Sequence, residues 1–175
     1  RDYSGEYIAI IEGAIPMANG GAYCTIRGRT ALSILEEVVA DAKLVIAAGS
    51  CAVDGGLAAA APNPTGATGV QGAVPGLQNL INLPGCPMNT VNLSATLVHY
   101  LTYQTLPALD RTRRPIFAYG EEIHDHCERE DYEDRDMYVL AWGDEGHRKG
   151  WCLKKMGCRG PETHSNCHEV KWNEG

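Results

Sequence analysis

From residue 121 onward the sequence loses the apolar periodicity that a core requires, yet it carries His124, Cys127, Cys152 and Cys158 at short spacing. The stretch is rich in charge, Gly, His and Cys, and its one apolar run is Met137 to Trp142. Such a segment cannot bury enough surface to offset the entropy of ordering it. Metal ligation supplies what is missing, because binding energy at a site absent from the unfolded chain becomes folding energy. One imidazole and three thiols can close a tetrahedral shell around zinc or hold an iron-sulfur cube. Spacing alone leaves those two nearly even. Cys51, Cys86 and Cys167, which a one-zinc protein would not need, favour iron.

Residues 1–120 read differently. Tyr7 to Ile11, Lys43 to Gly49, Leu80 to Gly85 and Pro115 to Gly120 are short, nearly continuous apolar runs closed at or near a glycine. This is the pattern of parallel strands buried on both faces. Thr30 to Ala40 places Leu32, Leu35 and Val39 on one helical face, and Asn89 to Tyr103 places Leu93, Leu97 and Leu101 at intervals of four. Strand and helix alternate, which predicts a doubly wound α/β domain over residues 1–120 followed by a cluster-binding segment over 121–175. Pro62 to Gly69 reads as a loop.

A net charge of −7 argues against nucleic acid as the main partner, since phosphate binding calls for a basic face. Seven cysteines, an odd number without regular spacing, suit metal ligation better than a disulfide framework. No apolar run approaches the length needed to cross a bilayer. Both ends read as cut, with no initiator Met and no closing cap.

Cys51 follows Ala-Gly-Ser at the end of the second run, and Cys86 follows Pro-Gly at the end of the third. In an open parallel sheet the carboxyl ends of the strands form the ligand crevice, so these thiols are expected on one edge, with Glu12 at the end of the first strand nearby. Two thiols do not complete a cluster. The plain alternative is small buried side chains at strand ends, which is also the reading for Cys24. His126 is expected to face solvent or an acceptor behind the ligands, His99 to sit on a face of the helix after Cys86, and His147 and His164 to lie on the surface. The acidic run Glu128 to Asp136 is either a solvated loop or a patch that steers a basic electron carrier.

Together these stretches resemble the small, electron-transferring subunit of a nickel-iron hydrogenase. The resemblance rests on Glu12 to Pro16, Gly49 to Ala52, Pro62 to Ala67, Pro84 to Pro87, His124 to Cys127, Gly146 to Leu153 and Cys158 to Pro161. It implies a flavodoxin-like domain in which Cys51 and Cys86 supply two of the four ligands of a proximal 4Fe-4S cluster. It implies that His124, Cys127, Cys152 and Cys158 hold a distal 4Fe-4S cluster, and that Cys167 is the first ligand of a medial cluster, 3Fe-4S or 4Fe-4S. The missing proximal and medial ligands would lie before and after this chain, making it an internal fragment. His168 stands where many members have Pro. Gly56 stands where oxygen-tolerant members carry an extra cysteine, which implies an oxygen-sensitive proximal cluster. Glu12 matches an acid near that cluster, with a role in proton or redox coupling. The nickel-iron centre would belong to a partner large subunit. The electron carrier would be a cytochrome c or a membrane cytochrome b, and the compartment the periplasm or the periplasmic face of the membrane. The rival functions are a zinc-stabilised α/β binding module and a flavodoxin-like FMN carrier. Against the latter, Gly13 to Arg29 is a long loop and not a compact phosphate cradle.

Overall fold

The structure, a computed structural model, describes residues 3–171 and divides into two compact units, Arg1–Pro115 and Ile116–Gly175. The first unit is mixed α/β around a parallel sheet. In chain order it contains β1 (Ile8–Glu12), β2 (Ile15–Pro16), β3 (Thr25–Ile26), β4 (Arg29–Thr30), α1 (Ala31–Ala40), β5 (Leu44–Ala48), α2 (Ser50–Asp54), α3 (Gly56–Ala59), β6 (Ala67–Thr68), α4 (Val70–Ala73), β7 (Leu80–Leu83) and α5 (Thr90–Tyr103). The strands β1, β5 and β7 form one sheet in that order, all parallel, with Glu12 opposite Ala48 and Ala48 opposite Leu83. Their carboxyl ends therefore share one edge.

The apolar runs explain the sheet. Every residue of β5 and of β7 is buried, so each fills both faces. The strand β1 lies at the edge and departs from that pattern, with Ile10 and Glu12 exposed. Leu35 and Val39 of α1 pack with Ala9, Val45, Ala47 and Leu80 of the sheet and with Ala52 and Val70. Each fully buried aliphatic side chain contributes about 2 kcal/mol, so this cluster dominates the stability of the unit. Thr30 caps α1 by accepting a hydrogen bond from the Ser33 N–H at 3.1 Å, and Asn89 caps α5 through the Val91 N–H at 2.9 Å.

Two expectations are corrected. The helix α5 buries Asn92, Thr96 and Tyr100, while Leu93 and Leu97 are half-buried and Leu101 is exposed. A polar stripe can face inward because the Thr96 hydroxyl donates to the Asn92 carbonyl at 2.7 Å, leaving no unpaired hydroxyl. The second correction is Pro115 to Gly120, which is not a strand. Ile116–Tyr119 form a single helical turn (α6), closed by the Gly120 N–H on the Ile116 carbonyl at 2.8 Å. The free edge of β7 is covered instead by the preceding turn, where Asn82 N–H meets the Arg113 carbonyl at 2.9 Å and Arg113 Nε meets the Leu80 carbonyl at 3.0 Å.

Asp110 holds that turn. Burial works to raise its pKa, but hydrogen bonds from the Arg114 N–H, the Thr112 hydroxyl, the Arg114 guanidinium and the Thr112 N–H outweigh it and hold the carboxyl at about 2, against an ordinary 3.8. A depressed folded value means stability present above the unfolded value and lost as pH falls through the folded one. The size is about 2 kcal/mol, from roughly 1.4 kcal/mol per pH unit. Asp110→Asn is therefore expected to lose about that much at neutral pH and to show a shallower acid limb between those two pKa values, measured by denaturant unfolding against pH.

The second unit contains α6, α7 (Glu130–Glu133), α8 (Glu145–Lys149) and α9 (Cys167–Val170), joined by short 3-10 turns and loops. Among its described residues the buried hydrophobic side chains are Ala118, Tyr119, Val139 and Cys152. Leu140 and Trp142, from the one apolar run, are exposed. Hydrogen bonds shape the unit more than packing does. No helix among the described residues is long and apolar enough to cross a membrane.

Candidate metal centres

Both cysteines of the first unit leave the carboxyl edge of the sheet. The chain turns from β5 into α2 through Gly49, whose φ of 87° is left-handed, and Cys51 sits in the first turn of α2. The turn after β7 is tied to it reciprocally. The Ser50 N–H donates to the Gly85 carbonyl at 2.8 Å and the Gly85 N–H to the Ser50 hydroxyl at 3.1 Å. Cys51 and Cys86 are thus the residues next to one hydrogen-bonded pair. Glycine is needed at 85, where φ is 145° and a Cβ would lie 2.7 Å from the Met88 Cα. It is needed at 56 too, because a Cβ there would fall 2.9 Å from the Cys51 sulfur. Cys51 is half-buried and Cys86 exposed; Glu12 is exposed at the same edge. Cys24 lies apart, in the turn before β3, with its carbonyl accepting from the Ala31 N–H at 2.8 Å.

In the second unit His124, Cys127, Cys152 and Cys158 line a single cavity of about 180 Å³, with Arg129, Glu133 and Lys154 at its rim. Each cysteine is placed by local backbone. His124 and Cys127 flank a 3-10 turn over His124–His126, closed by the Cys127 N–H on the His124 carbonyl at 3.0 Å. Asp144 caps α8 through the His147 N–H at 2.6 Å, and Gly150 ends it in the left-handed region. The chain then runs back beside Tyr138, where Cys152 N–H meets the Met137 carbonyl at 3.1 Å and Val139 N–H meets the Cys152 carbonyl at 2.9 Å. Gly146 permits this return, since a Cβ would press on the Trp151 ring at 2.8 Å.

The three sulfurs share one motif: each accepts from the backbone N–H two residues on. Arg129 donates to Cys127 at 3.4 Å, Lys154 to Cys152 at 3.4 Å and Gly160 to Cys158 at 3.3 Å. Such donors stabilise thiolate charge. His124 Nε2 lies 3.4 Å from the Glu133 carboxylate, which is also paired with Lys154. The Lys154 hydrogen bond holds the Glu133 carboxyl below its usual range, while Glu133 raises the Lys154 ammonium. Arg129 crosses the rim to the Trp151 carbonyl at 2.9 Å. The donor set, one imidazole and three hydrogen-bonded thiols around one cavity, fits an iron-sulfur cube.

Cys167 stands exposed at the start of α9, without another cysteine of the described residues forming a disulfide with it. Sequence reasoning misses Glu133, which reads only as part of an acidic run, and misses the grouping of Glu121, His126 and His168. Rings of His126 and His168 stack with centroids 3.8 Å apart, and His126 Nε2 lies 2.8 Å from Glu121. The position of His126 two residues after a ligand is the available signal. Of the remaining imidazoles, His147 Nδ1 accepts from the Gly143 N–H at 3.0 Å and His164 lies 3.9 Å from Glu122.

Residues 1–100 match the family described as NADH ubiquinone oxidoreductase, 20 Kd subunit, and residues 119–175 match the family of the C-terminal part of the NiFe/NiFeSe hydrogenase small subunit. The chain is 45% identical over 170 residues to the Hydrogenase-2 small chain of Escherichia coli strain K12, covering 97% of this chain and 45% of that protein. It is 46% identical over 169 residues to the periplasmic NiFe hydrogenase small subunit 1 of Nitratidesulfovibrio vulgaris, covering 96% and 53%. Among solved structures, a reduced, active form of the Ni-Fe-Se hydrogenase from Desulfomicrobium baculatum superposes with a TM-score of 0.88 at 28% identity, covering 99% of this chain and 67% of that one. The chain spans about half the length of the curated relatives it matches.

Proposed function

This chain belongs to the family of the 20 kDa NADH ubiquinone oxidoreductase subunit and to the small subunits of nickel-iron hydrogenases, and on that premise we propose that it relays electrons between a hydrogen-converting nickel-iron centre in a large partner subunit and an external carrier. One observation carries the proposal: three thiols, each with its own backbone N–H donor, and one imidazole converge on a single cavity in a unit with little core. His124, Cys127, Cys152 and Cys158 would hold a distal 4Fe-4S cluster, Cys51 and Cys86 would contribute to a proximal 4Fe-4S cluster, and Cys167 to a medial cluster, 3Fe-4S or 4Fe-4S. When bound, such clusters supply one-electron transfer at potentials set by ligand charge and hydrogen bonding.

The residues of the chain tune and position. Glu133 lies beside His124 Nε2, so it can accept that N–H, fix the ring and leave Nδ1 for the metal. Lys154 in turn fixes Glu133. Three N–H donors on sulfur and one neutral ligand in place of a thiolate offset the negative charge of the site, which favours the reduced form. At the sheet edge that also carries Cys51, Glu12 would serve proton or redox coupling. Exposed Leu57 and Val91, on α3 and α5 just after the two cysteines, suit burial by the large subunit. The flavodoxin-like arrangement, a cytochrome c or membrane cytochrome b as carrier, and the periplasm or its membrane face as compartment follow from the same family reading.

The test is His124→Cys in the intact heterodimer. A fourth thiolate adds negative charge, so the distal cluster is expected to persist with a lower reduction potential and slower dye-linked hydrogen oxidation, read by redox potentiometry and iron content. A colourless protein with one zinc per chain would overturn the proposal.

A further inference from the structure

Apart from the cavity lined by His124 and the three cysteines, the second unit holds one more grouping of metal-ligand side chains among its described residues: Glu121, His126 and His168, whose ligand atoms lie within 4.8 Å of one another. Backbone pairing brings them together. The Ile123 N–H donates to the Thr163 carbonyl at 2.8 Å, the Ser165 N–H to the Glu121 carbonyl at 3.1 Å, and the Asn166 N–H to the Ala118 carbonyl at 2.9 Å. These bonds lay residues 118–126 against residues 163–168. The three side chains face one open cavity of about 570 Å³ with Phe117 and Ala118 in its wall and Glu169 at its margin.

From this geometry we propose that Glu121, His126 and His168 bind a divalent transition-metal ion of the zinc class, with a position left open to solvent. Three facts carry it. Metal bonds to imidazole nitrogen and carboxylate oxygen are about 2.0–2.2 Å long, so the ligands of one tetrahedral ion stand roughly 3.4 Å apart. Closing a spread of up to 4.8 Å to that spacing takes up to about 0.7 Å of movement at each side chain, and His126 and Glu121 are exposed enough to move. Next, the ligand type is selective. Two imidazoles with one carboxylate suit zinc and its neighbours in the first transition row, whereas calcium and magnesium call for oxygen. Last, His168 Nδ1 is buried and has no hydrogen-bond partner among the described residues. Such an orphan is costly, and a metal bond at Nδ1 gives that nitrogen a partner that the fold does not. The stacked rings lie 14° from parallel, and among the described residues the pair's hydrogen bond is the His126–Glu121 contact.

An ion there would pin the loop that carries His126 to the helix that begins at Cys167. It would act as a staple on a unit with few buried side chains, and its binding does not depend on the electron-relay reading.

The experiment uses the protein as isolated, with the iron and any partner subunit it carries, after chelator treatment mild enough to leave the iron content unchanged. Zinc is titrated in competition with a chromophoric chelator, and cobalt(II) is added separately to read its visible ligand-field bands. The expected result is one zinc per chain, cobalt bands of a nitrogen-oxygen site, and at least a roughly 100-fold loss of affinity in His168→Gln and Glu121→Gln, given that even residues behind metal ligands cost 10–100-fold. Iron content should be the same in both variants, which shows them folded. Absence of zinc binding in the wild-type protein would overturn the proposal. So would His168→Gln and Glu121→Gln binding zinc as tightly as wild type with iron unchanged, since the ion would then sit elsewhere.

Discussion

Replacing Cys152 with Ala is expected to remove the distal iron, about four atoms per chain, and to loosen residues 116–171 as a body. The sizes of the competing terms decide this. Losing one buried sulfur costs about 1 kcal/mol in packing, whereas filling a closed metal shell is worth on the order of 10 kcal/mol to a domain that depends on it. The unit has little else to hold it, since Val139 and Tyr119 are its largest fully or nearly fully buried apolar side chains among the described residues. Hydrogen exchange should show protection lost around Tyr138, Cys152 and the turn at His124, with β5 and β7 unchanged. Full iron content and wild-type protection in Cys152→Ala would contradict this account of the second unit.

A comparable loss in the first unit is expected from Gly69→Ala, at a position where the sequence shows only the end of a loop. Its Cβ would stand 2.1 Å from the Val53 carbonyl oxygen and 2.7 Å from that of Ala52, both backbone atoms of α2. Side chains can rotate away from a clash, but a helix backbone must shift as a whole. The cost should exceed the roughly 1–3 kcal/mol of ordinary overpacking, and α2 should move with Cys51 on it. Denaturant unfolding reads the loss, and wild-type stability in Gly69→Ala would mean that α2 does not pack as described.

How much of the fold and of the sites is legible in the sequence follows from the kind of signal each feature leaves. The strands β5 and β7 are continuous apolar runs, and a strand buried on both faces can hardly look otherwise. That Cys51 and Cys86 share an edge follows from parallel strands of similar length, so the grouping is readable from the sequence alone. His124, Cys127, Cys152 and Cys158 stand out because imidazole and thiol are scarce and their spacing is short. The inward face of α5 is not readable: a stripe of leucines at intervals of four marks one side of a helix, but the internal hydrogen bond of Thr96 lets the neighbouring polar stripe take the buried side. Pro115 to Gly120 fails as a strand because a short apolar run fits one helical turn as well as a short strand. Glu133 is hidden among like charges, and its partner Lys154 lies 21 residues away, which leaves no local pattern. The grouping of Glu121 with His126 and His168 depends on a backbone pairing between distant segments and has no linear signature either.

The most direct test of the central claim is nitrogen hyperfine spectroscopy on the reduced distal cluster, in protein grown with histidine labelled with nitrogen-15 in the ring. If His124 is the fourth ligand beside Cys127, Cys152 and Cys158, the electron spin of the cluster will show strong coupling to one imidazole nitrogen, and the coupling will change with the isotope. A reduced cluster without any histidine nitrogen coupling would contradict the assignment and, with it, the reading of this cavity as the point where electrons leave the chain.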